Sequence, residues 1–174
     1  MSKENVDPQL KHIEELRELF DKLQKHFNVQ ESEILDALYL RLDHKYNFEW
    51  AGDIWNLNLS FDDAKHILED FDFAILRDVI ETDISLLPSD LRINRKARVK
   101  FKGDIWVIHK YDQDPFPSCP HAHNIYNGIK LDLSNGKCYR VRKHIYTLNR
   151  KDFLEFRKNA VQVFKGVLPT LTLE

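Results

Sequence analysis

The chain has 174 residues, 43% of them hydrophobic and 31% charged, with two cysteines and a formal net charge of −2. That is an ordinary composition for one globular domain or two small lobes, and two cysteines exclude a disulfide framework. No apolar run approaches the roughly 20 residues that span a bilayer, and the start "MSKENVDPQL" lacks the apolar stretch of a signal peptide. A cytoplasmic chain with reduced thiols and no membrane contact is therefore expected.

The small net charge hides an asymmetry. Residues 1–91 carry 9 Lys/Arg against 21 Asp/Glu, a balance of −12, and residues 92–174 carry 17 against 7, a balance of +10. An acidic first half (1–91) and a basic second half (92–174) are the expected units, the basic one a surface for phosphate and nucleic acid.

The first half reads as helical. Asp7 suits an N-cap and Pro8 a first helical position. Leu10, Ile13, Leu16, Phe20, Leu23 and Phe27 follow at steps of three and four, one apolar stripe. A second helix fits Ser32 to about Lys45, with Ile34, Leu35, Leu38, Tyr39 and Leu42 inward. "NFEWAGDIWNLN" is a connection in which Trp50 and Trp55 anchor packing. Ser60 and Asp63 form a capping pair for a third helix, with Ala64, Ile67, Leu68 and Phe71 inside. "FAILRDVIET" extends that helix or starts another, and "LLPSDLRI" is the hinge, because Pro88 resists helix.

In the second half the period changes from 3.6 to 2. "ARVKFKGDIWVIH" reads as a hairpin around Lys102-Gly103-Asp104, and "GIKLDLSNGKCYRVR" as a second hairpin. A three-residue Ser-Asn-Gly loop pairs Leu131 with Tyr139 and Lys130 with Arg140, separating apolar from polar faces and placing Gly136 in the left-handed position. A last helix fits Asn149 to Lys165, with the stripe Phe153, Leu154, Arg157, Ala160, Val161 and Phe164, and Gly166 at its end. "LPTLTLE" suggests a short strand. The expected fold class is α+β, an acidic helical lobe joined to a basic lobe of two antiparallel hairpins packed on a C-terminal helix.

The sharpest chemical signal is "DPFPSCPHAHN", Asp114 to Asn124, in the connection between the hairpins. If residues 121–123 are extended, His121 and His123 point the same way. Two imidazoles beside cations suit phosphodiester cleavage, one taking a proton and the other donating it, with no metal required. Lys110, Asn124, Lys130, Tyr139, Arg140 and Arg142 are the candidate substrate contacts, with Asp132 to orient a histidine or cation. Tyr126, Tyr139 and Trp106 are available to stack a base. A zinc site of Cys119, His121 and His123, with Asp114 or His109, is the weaker alternative, since C-x-H-x-H is not a recurring zinc spacing. Each candidate also has a plain structural reading as a loop residue bonded to nearby backbone. P-loop, G-x-G-x-x-G, G-x-S-x-G and H-E-x-x-H motifs are absent from the sequence.

The leading expectation is an RNA-binding protein, a small metal-independent endoribonuclease of bacterial toxin or phage-defence type. The rival is an immunity or antitoxin-like module that covers a protein partner through its acidic lobe. A metal-dependent hydrolase is third.

Overall fold

The computed structural model describes residues 8–91, 103–109, 112 and 114–173. Among them the chain is α+β, with four α-helices and one six-stranded antiparallel sheet in which each strand neighbours the next in sequence. The order is three helices, six strands and a last helix, apart from short 3₁₀ turns.

Helix α1 (Pro8–Phe27) begins at the expected proline, and the proposed Asp7 cap lies outside the described residues. Its buried residues are Leu16, Leu19, Phe20 and Leu23. Leu10 and Ile13 are exposed, so the core covers this helix only from Leu16 onward and the expected stripe ran two turns too far. Helix α2 (Glu31–Tyr46) has its first turn held by the Glu33 carboxylate, which accepts from Gln30 N at 2.9 Å. It is buried on most sides, through Ile34, Ala37, Leu38, Tyr39, Leu40, Leu42 and Asp43. Helix α3 (Phe61–Leu68) is capped as expected: Ser60 Oγ accepts from Asp63 N at 3.1 Å.

"FAILRDVIET" does not continue as helix. Asp72 accepts from Ala74 N and starts a 3₁₀ turn, Phe73–Leu76, which gives way to strand β1 (Val79–Glu81). β1 pairs with β2 (Ile105–Ile108), Val79 opposite Val107 and Glu81 opposite Ile105. The sheet therefore starts before residue 91, within the acidic half of the sequence. The expected partner "ARVKF" falls on residues outside those described.

β3 (Ala122–Asn124) pairs with β2 and with β4 (Ile129–Leu131), so the histidine segment ends inside the sheet and not in a free loop. β5 (Lys137–Arg140) and β6 (Lys143–Thr147) complete it. Leu131 lies opposite Cys138, and Lys130 opposite Tyr139, one residue away from the expected register. The connecting loop is Leu133–Gly136, a residue longer than expected. Leu133 is drawn into the core, and Asp132 ties the loop by accepting from Ser134 N, Ser134 Oγ and Asn135 Nδ2 at 2.6–3.0 Å. Gly136 takes the expected positive φ of 81°. Because side chains alternate faces, the slip puts Arg140 on the face opposite Lys130.

One face of the sheet packs Ile80, Trp106, Ile108, Ala122, Ile129, Leu131 and Cys138 against Phe153, Phe156 and Ala160 of α4 (Arg150–Val163). Asn149 caps α4 by accepting from Asp152 N. The expected stripe is corrected here: Leu154 and Val161 face solvent and Phe156 takes the core position. Arg157 donates to the Leu133 and Pro169 carbonyls. The helix ends at Phe164 in extended backbone, without a left-handed glycine cap at Gly166. The tail forms no strand among the described residues, and Thr172 N bonds Ser134 O at 2.9 Å. The other sheet face meets α1–α3, whose core takes in Val107 and Ile125. The result is three layers, with the sheet in the middle and its polar residues under α2. No helix among the described residues is long and apolar enough to cross a membrane.

Candidate metal centre

His121 and His123 do point the same way, with ring centroids 4.3 Å apart. Both are about 1% exposed, held between the sheet and α2. Tyr39 of α2 meets the His123 ring edge to face at 6.5 Å. The residue that joins them is Asp112, which the sequence reading overlooked. Its Oδ2 lies 2.6 Å from His123 Nε2 and 3.2 Å from His121 Nε2. Asp112, His121 and His123 offer three ligand atoms within 4.8 Å of one another. Cys119, expected as the third ligand, is exposed and lies outside this cluster.

The protonation pattern follows from the partners. His121 Nδ1 lies 2.9 Å from the Ser118 carbonyl, which can only accept, so Nδ1 carries the proton. The neutral ring then turns a bare Nε2 toward the Asp112 carboxylate. The contact at 3.2 Å does not align as a hydrogen bond, and Nε2 has no hydrogen-bond partner among the described residues. Burial, followed by the nearby His123 and Lys130 charges, lowers His121 to about 3 despite the opposing pull of Asp112. Burial likewise lowers His109 to about 4. For Asp112 burial works upward, but the His123 hydrogen bond foremost, with His123's electrostatic pull and the Asp114 backbone N–H, outweighs it and holds the carboxyl well below the ordinary range. Burial, then Asp43 and Asp112, push the Tyr39 phenol well above its usual value.

A second group braces the first. Lys130 Nζ lies 2.7 Å from Asp43 Oδ2 on α2 and 3.1 Å from Asp114 Oδ2. Asp114 also accepts from Phe116 N at 3.1 Å and from Arg142 Nη2 at 3.0 Å. Arg142 is 52% exposed and lies over the Phe116 ring at 5.0 Å. It is presented by a two-residue turn in which Val141 and Arg142 have φ of 45° and 62°. Such turns favour Asn and Gly, and a β-branched residue there is strained.

The remaining expected contacts are placed elsewhere. Asn124 is buried and closes the β3–β4 turn, its Oδ1 accepting from Asn127 N and Nδ2. Asp132 serves its own loop and orients neither histidine. Arg140 donates to the Leu91 and Asn127 carbonyls, on the far face from Lys130. Tyr139 packs edge-on against Phe116 at 4.9 Å. Lys110 falls outside the described residues. Lys130 is in the cluster, but as a buried strut between two carboxylates. In the sequence Asp112 stands two residues before "DPFP" and nine before His121, a separation that marks no ligand pattern.

Comparisons of the chain with protein-family models, curated proteins and solved structures find no match.

Proposed function

We propose that Asp112, His121 and His123 hold a divalent transition-metal ion, zinc foremost, and that the protein is a metal-dependent hydrolase of RNA phosphodiesters. The observation that carries this reading is the confrontation of His121 Nε2 with Asp112 Oδ2, two acceptors 3.2 Å apart in a buried site. A shared cation relieves it. Ligand atoms bound tetrahedrally to one zinc at about 2.0–2.2 Å sit roughly 3.3–3.6 Å apart, so the 3.2 Å contact is already near that spacing and the 2.6 Å contact opens when the metal replaces the shared proton. The Ser118 carbonyl on His121 Nδ1 is the kind of outer-shell partner that orients a ligating imidazole. The proton now shared by His123 Nε2 and Asp112 is the one a metal displaces.

Two protein nitrogens and one oxygen leave room for water, whose acidity a metal raises enough to make it a nucleophile near neutral pH. The metal-independent scheme needs one imidazole free as base and the other as acid, and here both Nε2 atoms face one carboxylate oxygen. The RNA assignment rests on the +10 balance of residues 92–174 and on exposed Arg142 beside the centre. The acidic first half, with exposed Asp62, Asp63, Glu69 and Asp70 around α3, is the proposed surface for a protein partner.

The test is zinc content by mass spectrometry together with cleavage of labelled total tRNA. One zinc per chain is expected, lost in Asp112→Ala and His123→Ala, with cleavage abolished by EDTA and restored by zinc. Cleavage that survives EDTA, in protein that binds no zinc, returns the histidines to an acid–base role. Zinc binding without cleavage keeps the centre and refutes the hydrolase.

A further inference from the structure

The sheet row that holds His123 continues past the centre. His123 lies opposite Lys130, Lys130 opposite Tyr139, and Tyr139 opposite His144, so these four share one face of the sheet. α2 covers the first two, through Tyr39 and Asp43. Beyond α2 the row comes into the open, with Tyr139 half-buried and His144 exposed. The planar groups there touch one after another. Phe116 packs on Tyr139 at 4.9 Å, Tyr139 on His144 at 5.7 Å, and the Arg142 guanidinium lies over Phe116 at 5.0 Å. Residues 137–147, the two strands and turn of this hairpin, carry four Lys/Arg and no Asp/Glu. The strained turn at Val141 and Arg142 sets the guanidinium at the tip, and backbone strain gathers at functional sites. Arg142 uses only Nη2 on Asp114, while its Nε and Nη1 bond to no described residue.

We propose that this row is a platform for single-stranded RNA, with one base stacked on the outer side of the Arg142 guanidinium. Phe116 covers one side of that plane, and the exposed half of the side chain offers the other. Guanidinium and aromatic planes accept any base, because every base has a π face. In a duplex those faces are already stacked inside the helix, so the platform selects unpaired strands. The free Arg142 donors and exposed Lys143 meet the phosphates. An acidic peptide would answer the cations but would leave the row of planes unmatched. Tyr139 stands two strand spacings, about 10 Å, from His123, so a strand laid on the row runs toward the centre. The inference rests on the RNA-hydrolase reading for its ligand class, and it gives that reading a substrate form, unpaired RNA crossing the β5–β6 hairpin.

The experiment is fluorescence anisotropy of a labelled oligouridine strand, alone or paired with its complement, titrated with the full chain in EDTA to stop any cutting. The single strand should bind at least about tenfold tighter than the duplex. Arg142→Lys keeps the charge but loses the plane, and His144→Ala removes an exposed ring. Each should weaken the single strand about fivefold or more, the scale of one stacked base, and leave the duplex within about twofold. A 2-aminopurine in the strand should lose more fluorescence on the wild type than on Arg142→Lys, a readout that charge alone does not move. Equal affinity for strand and duplex, or strand binding unchanged by both variants, overturns the proposal. An oligoglutamate peptide that binds as tightly as the strand assigns the hairpin to acidic protein and overturns it too. Cleavage of tRNA then separates the two proposals. Strand binding without zinc-dependent cutting sinks only the hydrolase, and zinc-dependent cutting with no preference for unpaired positions sinks only the platform.

Discussion

Replacing Lys130 with Met tests how the centre is held. The ammonium sits between Asp43 and Asp114 at 2.7 and 3.1 Å, and the three side chains are 12%, 6% and 4% exposed in that order. Burial disfavours the charged lysine, yet the two carboxylates raise its pKa on balance, so the cation is firmly present near neutral pH. The methionine fills similar volume and removes the charge, leaving two buried carboxylates without it. Breaking a buried pair in this way costs about 3–5 kcal/mol. A chain of 174 residues loses about 2–4 °C of Tm per kcal/mol, so a fall of roughly 6–20 °C is expected. Circular dichroism melts at pH 7.5 read it directly. The triple variant Asp43→Asn, Lys130→Met, Asp114→Asn should recover part of the loss, because it removes the stranded charges as well. A fall of less than about 2 °C would show a pair worth no more than a surface salt bridge, and the account of Lys130 as a strut would be wrong.

Three further outcomes follow from the geometry. Metal-free protein should lose stability as pH drops below about 6.5. His109 and His121 stay neutral in the fold down to about 4 and 3, while the unfolded chain takes up those protons from 6.5 downward. Each contributes a loss of about 1.4 kcal/mol per pH unit, roughly 2 kcal/mol apiece by pH 5. Asp112, held low in the fold, adds its own loss only as pH falls below the ordinary carboxylate range. Urea midpoints at pH 7.5, 6 and 5 check this, and a flat profile contradicts it. Gly128→Ala should cost more than about 2 kcal/mol, because Gly128 has φ of 62° and a Cβ would lie 1.5 Å from the Glu49 carbonyl oxygen. An unchanged melt would mean that this turn does not abut the 49–50 segment. Val141→Asn should stabilise by about 1 kcal/mol, relieving a β-branched residue at positive φ. A loss of stability there would show that Val141, although largely exposed, packs in a way its accessibility does not reveal.

The helices were legible because α1, α3 and α4 bury one side at a 3.6 spacing and α2 carries a dense apolar run, and the caps at Ser60 and Asn149 announce their starts in single residues. The α4 stripe misled because Leu154 and Val161 keep the right spacing on the wrong side of Phe153. β1 was hidden because three residues carry no period, and its partner lies across the hinge. The β4–β5 register turned on one residue. Alternation favoured a three-residue loop, but burying Leu133 satisfied the core better than the alternation rule allowed. The imidazoles were found by spacing alone. Their partner was not, because Asp112 reaches them through folding and not through any motif. The cations were overread: Arg140 was put on the Lys130 face by the same one-residue slip.

The placement of β1 separates chain order from spatial order. The three helices arrive in sequence with an edge strand attached, and that strand is the neighbour β2 requires. A fragment beginning near Gly103 would expose the β2 edge and the polar face that α2 covers, and sheet edges left open invite pairing with other chains. Two fragments cut between Leu91 and Gly103 would instead carry complementary halves of one ladder, with Asp43 on one piece and Lys130 on the other. The ion pair that braces the centre would then form only on reassembly, and a rise in melting temperature on mixing would report that the pieces had met.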